Sequence, residues 1–463
     1  MRPDPWSLED TIVAPATPPG RSALALLRLS GPSTPEILRA VAPDLPETLP
    51  DRRPLLARLS DARGAPIDRG LVTFFPAPHS VTGEDVAEIS VHGGVALVRA
   101  LLSALIDAGA RPARPGEFTQ RAFLLGKMDL VEAEAVRDLI EAKTPAAVSA
   151  SARRLDGSLS RRLSAVRASL VTAAAEIGAA LDFSEDVGES LPAATTERIA
   201  QAARELDRLS RSGKRGRLLA GGARVVLLGR PNAGKSTLFN ALVGADRAIV
   251  TAIPGTTRDT LDAVIDVNGI PVELVDTAGL RATEDPIERL GVDRARAAGE
   301  AADAILYVVD SVAGWSGEDE NAIADLPPDR RLVIANKVDG VASDRRAAGD
   351  VLPPSAMAGP ALALNGLASG AGEILRSAIA GLLEAGVPPE TGSEMLGSAR
   401  QQSAVDRAGA AASAALAALA RGESPEYPVS HVHEALDALA ELTGETTPED
   451  VLTEIFATFC IGK

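Results

Sequence analysis

The sequence predicts a multidomain α/β protein: an N-terminal α+β domain, a helical domain in two stretches, and a parallel-sheet domain with flanking helices inserted between them. Three observations carry this. Short β-like runs mix with helical stretches up to about Lys127. An Ala-, Leu-, Arg- and Glu-rich texture with apolar positions at helical spacing fills Met128 to about Leu218, and returns from about Glu394. Between those stretches, near-continuous apolar runs alternate with helical segments, the pattern of buried parallel strands. The expected boundaries are 1–125, 126–221, 222–380 and 381–463.

In the first part, residues 23–29, 71–75 and 86–91 read as strands and 95–108 as a helix. Turn chemistry separates them at Thr17-Pro18-Pro19-Gly20, Ser30-Gly31-Pro32, Arg63-Gly64 and Pro115-Gly116. The first helical stretch is marked by Leu130, Ala133, Val136, Leu139 and Ile140, and residues 184–192 interrupt it. The inserted strands are 224–228, 272–275, 304–309 and 332–335. In the second helical stretch Ser430 is placed to cap a helix over 431–442, and Thr447 to cap one that begins with Pro448.

With 463 residues the chain exceeds one ordinary core, and about three domains are expected. No continuous apolar run reaches the ~20 residues that span a bilayer. The first ten residues lack the basic-then-apolar order of a signal peptide. Cys460 is the only cysteine, which excludes an intrachain disulfide. These features point to a cytoplasmic protein with no membrane partner. A net charge of −16 argues against broad, non-specific adhesion to nucleic acid. Arg153, Arg154, Arg161, Arg162 and Arg167 form the densest basic run; a solvated helix face is its ordinary reading and an RNA contact the alternative. Cys460 itself is either a thiolate nucleophile or, as is more usual beside Phe459 and Ile461, a small buried hydrophobe.

Gly229-Arg230-Pro231-Asn232-Ala233-Gly234-Lys235-Ser236, followed by Thr237, fits the phosphate-loop pattern between an apolar strand and a helix. Backbone N–H groups there wrap phosphates at a helix N-terminus. Lys235 reaches the β- and γ-phosphates and the Ser236 hydroxyl suits Mg²⁺. Asp276-Thr277-Ala278-Gly279 follows the second strand, where a carboxylate can hold Mg²⁺ and Gly279 can approach a γ-phosphate. Asn336-Lys337-Val338-Asp339 follows the fourth. Asp339 offers two acceptors to the N1–H and 2-amino group of guanine, and Asn336 approaches the purine edge and neighbouring loop. Between these motifs, Thr257 of Gly255-Thr256-Thr257-Arg258-Asp259 is the expected switch threonine on Mg²⁺. The last guanine-contacting element is either Asn365-Gly366-Leu367 or Ser355-Ala356. Three ordered motifs at strand carboxyl ends predict a GTP-hydrolysing P-loop protein that binds GTP and GDP.

Outside that block stand Asp10-Thr11-Ile12-Val13-Ala14, Ala16-Thr17-Pro18-Pro19-Gly20-Arg21, Leu27-Arg28-Leu29-Ser30-Gly31 and Thr82-Gly83-Glu84-Asp85-Val86. They are joined by His92-Gly93-Gly94, Pro115-Gly116-Glu117-Phe118-Thr119-Gln120-Arg121-Ala122-Phe123 and Phe459-Cys460-Ile461-Gly462-Lys463. With these, nearly the whole chain resembles the MnmE (TrmE) family of tRNA-modification GTPases. The resemblance implies a folate-binding, dimerising N-terminal domain, a helical domain and an inserted GTPase domain. It implies a homodimer that forms a heterotetramer with an FAD-dependent MnmG-type partner. Together they place an aminomethyl-type group on carbon 5 of the wobble uridine of certain tRNAs, with a one-carbon tetrahydrofolate as methylene donor. By the same resemblance, Arg28, Glu88, Lys127 and Lys463 line the folate pocket, and Val81 stands where the family usually has an aromatic. Potassium replaces an arginine finger, held by the Asn232 side chain and by backbone carbonyls of Thr251, Ile253 and Thr256. The loop Thr251-Ala252-Ile253-Pro254-Gly255-Thr256-Thr257 borders the nucleotide, and Glu288 orients water, so Glu288, Lys235 and Thr257 form the catalytic set.

Two other readings are weighed. A GTP-gated RNA-binding or ribosome-assembly factor would need an RNA-binding module such as a KH domain with a G-x-x-G loop, which the sequence does not offer. A P-loop ATPase is opposed by Asn336-Lys337-Val338-Asp339.

Overall fold

In the computed structural model, which describes residues 8–182, 193–244, 248–249, 262–276, 302–385 and 395–462, the N-terminal alternation forms a six-stranded sheet. Its strands are β1 (Ile12–Pro15), β2 (Leu24–Ser30), β3 (Leu55–Ser60), β4 (Pro66–Phe75), β5 (Val86–His92) and β6 (Arg111–Pro112). The order is β3-β4-β5-β2-β1-β6, antiparallel throughout except between β1 and β6. Side chains alternate with period two. Ala25, Leu27 and Leu29 of β2 and Ala87, Ile89 and Val91 of β5 face a core with Ile37, Leu38, Leu101 and Leu105 from the helices Thr34–Val41 and Val95–Asp107. On the other face Leu24, Leu56 and Leu71 are 62%, 58% and 45% exposed.

This sheet belongs to one of two compact units, Met1–Arg137 with Ser160–Ala174 and Val429–Lys463. The segments that carry the family resemblance meet inside it. Arg121, 1% exposed, donates to the Asp10 carbonyl (2.8 Å), to the Asp10 carboxylate and to Glu84 (3.0 Å). Glu117, equally buried, accepts from Arg111 at 2.6 Å and from the Arg114 backbone N–H at 2.8 Å. Three glycines close the packing. A Cβ on Gly31 would lie 2.6 Å from the Asp10 carbonyl oxygen, one on Gly116 2.4 Å from that of Phe456, and one on Gly462 2.4 Å from that of Pro15. All three have positive φ, where a side chain is strained in any case.

The second unit, Asp138–Leu159 with Ala175–Pro428, is built on a seven-stranded sheet. Its strands are β7 (Ala223–Leu228), β8 (Ala248–Ile249), β9 (Asp262–Val267), β10 (Ile270–Asp276), β11 (Ala304–Asp310), β12 (Arg331–Asn336) and β13 (Ala361–Leu364), in the order β13-β12-β11-β7-β10-β9-β8. The four strands expected from apolar runs are β7, β10, β11 and β12, and they pair in parallel. The antiparallel edge, β9 on β10 and β8 on β9, adds to that expectation. Flanking the sheet in sequence, the helices Ala193–Gly221 and Ala399–Ala420 pack on one another. Their contact uses small residues: Ala404, Ala408, Ala412 and Ala415 are fully buried, and a Cβ on Gly213 would strike Gln402.

The turn between β9 and β10 reaches the helix Pro145–Leu155. Asn268 and Gly269, at φ 53° and 87°, make a two-residue turn with both residues left-handed, as a primed hairpin turn requires. Thr144 caps the helix by accepting from the Ala147 N–H (3.1 Å), and its hydroxyl donates to the Gly269 carbonyl at 2.5 Å. A Cβ on Gly269 would come within 2.6 Å of the Ala146 side chain.

Several local expectations are corrected. Ser430 lies inside the helix Glu426–Thr443 instead of capping it, and Pro448 is itself the N-cap of Glu449–Ala457 while Thr447 donates to the Glu441 carbonyl. Ile140 is 45% exposed. Cys460 is exposed; the buried neighbour is Phe459. The segment Ser158–Leu181 is long and apolar enough by composition to cross a membrane, with a mean hydropathy of 1.2. Its buried positions, Leu159, Leu163, Val166, Leu170, Ala173 and Ile177, recur every three or four residues, the stripe of a helix packed on one side. Of the basic run, Arg154 is buried against Asp138 (2.9 Å), while Arg161 is exposed and Arg153 and Arg167 meet Ser149 and Glu445 at the surface, as on a solvated face.

Candidate nucleotide site

The parallel register brings the carboxyl ends of β7, β11, β12 and β13 to one edge, where loops of such sheets bind ligands. From β7 the chain enters the phosphate loop through Gly229 at φ 134°, passes Asn232 at 60° and Gly234 at 99°, and starts the helix Lys235–Val243. These left-handed residues curl the backbone into a ring with its N–H groups at a helix start. A side chain would not fit: a Cβ on Gly229 would lie 2.2 Å from the Val308 carbonyl oxygen, and one on Gly234 2.2 Å from Asn336 Nδ2. Lys235 Nζ donates to the carbonyls of Gly229 and Arg230, both at 2.8 Å, so the ammonium is held at the loop it must serve.

Asn336 and Lys337 fix this loop from β12. Asn336 is 2% exposed; its Nδ2 donates to the Ala233 carbonyl (2.9 Å) and its Oδ1 accepts from the Gly366 N–H (3.0 Å). It therefore ties the phosphate loop to the loop after β13, which is the neighbouring-loop approach expected for it. Lys337, at φ 61°, donates to the Asn232 carbonyl and to Asp310 Oδ2, each at 2.7 Å. Burial alone would raise the Asp310 carboxyl, but Lys337 and the N–H groups of Ala313 and Val312 outweigh it and hold it below the usual carboxylate range. Asp339 is exposed, as a base-reading carboxylate would be. Of the two candidates for the last element, Asn365-Gly366-Leu367 follows β13 directly, whereas Ser355 precedes that strand and donates to Glu320.

Ser236 and Asn232 are exposed on the loop and Thr237 is half-buried. Asp276 ends β10 opposite Leu227 of β7, so its strand ends beside the one that leads into the loop. A hydroxyl and a strand-end carboxylate are the hard oxygen donors Mg²⁺ prefers. Among the described residues no cluster of three His, Cys, Asp or Glu could hold a metal. Thr251, Ala252, Ile253, Pro254, Gly255, Thr256, Thr257, Arg258, Thr277, Ala278, Gly279, Glu288 and Lys463 lie outside the described residues. Asp310 is not among the residues expected from sequence, although an acid closing a buried strand is a legible signal.

In the N-terminal unit, Arg28 and Glu88 face each other across β2 and β5, and Arg28 donates to Glu88 Oε1 at 2.7 and 3.1 Å. The Arg28 guanidinium also lies 5.8 Å from the Phe118 ring centroid, within cation–π range. Lys127 is exposed and donates to the Pro78 carbonyl at 3.1 Å.

Two family models match, the GTP-binding protein TrmE N-terminus over residues 11–127 and the MnmE helical domain over 130–460. The tRNA modification GTPase MnmE of Chloroflexus aurantiacus is 42% identical over 462 residues, covering 98% of this chain and 100% of its own. The chain belongs to the MnmE family of tRNA modification GTPases. MnmE of Akkermansia muciniphila is 41% identical over 460 residues, covering 98% of this chain and 99% of its own. Among solved structures, a variant of Aquifex aeolicus Era with GDP and AlF4⁻ is 25% identical, covering 41% of this chain and 66% of its own, with a TM-score of 0.26. As a member of the MnmE family the chain is a GTPase acting in tRNA modification, and its outer domains are the family's own.

Proposed function

We propose that the chain binds and hydrolyses GTP at the loop 229–236, and that hydrolysis drives the conformational cycle by which it modifies tRNA with an FAD-dependent MnmG-type partner. The product is an aminomethyl-type group on carbon 5 of the wobble uridine. The observation that carries the reading is the convergence of Asn336, Lys337 and Lys235 on the carbonyls of one glycine-cornered loop. On GTP binding, Lys235 exchanges those carbonyls for phosphate oxygens, and Asp339 accepts from guanine N1–H and its 2-amino group. Ser236, Thr257 and Asp276 hold Mg²⁺, which supplies charge neutralisation at the β- and γ-phosphates. Thr257 and Gly279 sense the γ-phosphate, and Glu288 orients the attacking water. Asn232, with the carbonyls of Thr251, Ile253 and Thr256, holds K⁺, whose charge takes the place of an arginine finger; support comes from Arg230, whose guanidinium is bonded elsewhere.

The reduced folate is assigned to Arg28, Glu88, Lys127 and Lys463, a glutamate tail suiting the cations and a pterin edge the carboxylate. Arg28 and Glu88 lie on the same sheet face as the exposed Leu24, Leu56 and Leu71, and an apolar surface beside a polar site suits the homodimer. The cytoplasm, and a heterotetramer with the partner, complete the reading, with domain boundaries near 125, 221 and 380.

The test is nucleoside analysis of tRNA from cells lacking the protein, which are expected to lose the carbon-5 wobble modification and regain it with the wild-type chain. Purified wild type is expected to turn over GTP faster in potassium than in sodium at equal ionic strength, and Asn232→Ala to abolish the difference. An unchanged nucleoside profile would overturn the tRNA assignment; equal rates in the two salts would overturn the cation.

A further inference from the structure

Arg230 stands second in the phosphate loop, yet its side chain is committed to the protein. Its Nε lies 3.2 and 3.1 Å from the two carboxylate oxygens of Asp319, and its Nη2 donates to the Gly314 carbonyl. Asp319 is fully buried at the start of the helix Gly317–Ala324. Besides Arg230 it accepts from Tyr307 OH on β11 (3.0 Å), and from the Ser316 N–H (2.9 Å) and hydroxyl (2.8 Å). Burial, then the charge and hydrogen bond of Asp319, push the Tyr307 phenol up, so it remains the donor in this pair. A strand and a helix cap thus hold the carboxylate in one place. The backbone of Arg230 meanwhile accepts from Lys235 Nζ (2.8 Å) and from the Ala233 N–H (3.3 Å).

We propose that Asp319 is a positioning residue for GTP binding, fixing the phosphate loop through Arg230 so that the ring of N–H groups and Lys235 are preformed. This rests on the reading that the loop 229–236 receives the phosphates. A loop already in its bound conformation loses less freedom when the nucleotide enters. The capping box alone explains neither the burial of the carboxylate against β11 nor its selection of a loop arginine, since exposed caps perform the same task.

The full chain is titrated with GDP and GTP, and its turnover measured, for Arg230→Ala, Asp319→Asn, the double variant, Arg230→Lys and Lys235→Ala. Each of the first two is expected to weaken nucleotide binding about ten-fold, the loss of one charged hydrogen-bonded pair. KM should rise by more than kcat falls. The double variant should bind no more weakly than the worse single, because both changes remove one anchor. Arg230→Lys should recover part of the affinity. Arg230 is partly exposed, so its alanine variant tests the idea without the folding burden that Asp319→Asn carries. Arg230→Ala binding like wild type, or the two losses multiplying in the double variant, overturns the proposal. So does Asp319→Asn melting earlier while binding GDP normally below its transition. Lys235→Ala separates the premises. If it abolishes binding while Arg230→Ala does not weaken it, only the role of Asp319 fails; if it too binds normally, the phosphate-loop assignment falls and this inference with it.

Discussion

At the scale of single residues, the site divides into groups that hold the loop and groups that face solvent. Asn336 spends both ends of its amide on the protein, and Lys337 does the same with its ammonium. Asp339 is left as the exposed carboxylate of that motif. Replacing it with Asn turns one acceptor into a donor facing the guanine amino group. Asp339→Asn should weaken GTP binding by about 1.5–3 kcal/mol, the value of a hydrogen bond to a charged group, and narrow the preference over xanthine nucleotides. Competition titrations with GTP and XTP check this, and unaltered GTP affinity removes Asp339 from base reading. The motif residues were legible in sequence because strand, loop and helix alternate around them with fixed spacing. What Asn336 bonds was not legible, because its partners, Ala233 and Gly366, approach only through the sheet order.

At the scale of elements, apolar runs identified the buried parallel strands, since burial on both faces leaves no polar alternation to confuse them. The antiparallel hairpin carries a different signal, Asn268-Gly269, the strongest short-range mark of a two-residue turn. Its tip is fixed by Thr144 and Ala146 from the helix Pro145–Leu155. Gly269→Ala combines a strained φ of 87° with a contact that the Ala146 side chain does not permit. It should destabilise the protein by about 1–3 kcal/mol. Thr144→Ala, which removes a cap and the bond to the hairpin, should cost about 0.5–2 kcal/mol. Because both act at one contact, the double variant should lose less than the sum. Urea denaturation of the three variants measures this, and strict additivity would mean that cap and turn do not communicate.

At the scale of the whole chain, the outer motifs turn out to be a folding device as much as a signature. Asp10, Glu84, Glu117 and Arg121 come from three separate stretches and share one buried network. Burial acts to raise the carboxyls of Asp10 and Glu117, but the hydrogen bonds of Arg111 to both, with Arg121 on Asp10 and Arg114 on Glu117, leave both below their usual values. Their folded pKa values are therefore lower than their unfolded ones. The stability they contribute is complete above the ordinary carboxylate range, near pH 4, and is lost as pH falls through the depressed folded values. Unfolding free energy measured from about pH 7 to pH 3 should drop steeply only at the acid end. Glu117→Gln should cost about 3–5 kcal/mol at neutral pH, as breaking a buried pair does, and flatten that acid dependence. An unchanged slope would show the network contributes no proton linkage. Sequence alone could name these residues as motif members but not as partners, because salt bridges between distant segments leave no periodic trace.

The three glycines that close the N-terminal unit also bear on the order in which the chain is made. Gly462 rests on Pro15, and Gly116 on the carbonyl of Phe456. β1 therefore waits for residues translated long after it, while the whole of the inserted sheet is synthesised in between. Until then Gly116, Phe123 and Leu130 expose the surface that Phe456 and Phe459 will cover. The contacts that close this unit can form only after the inserted sheet has been synthesised.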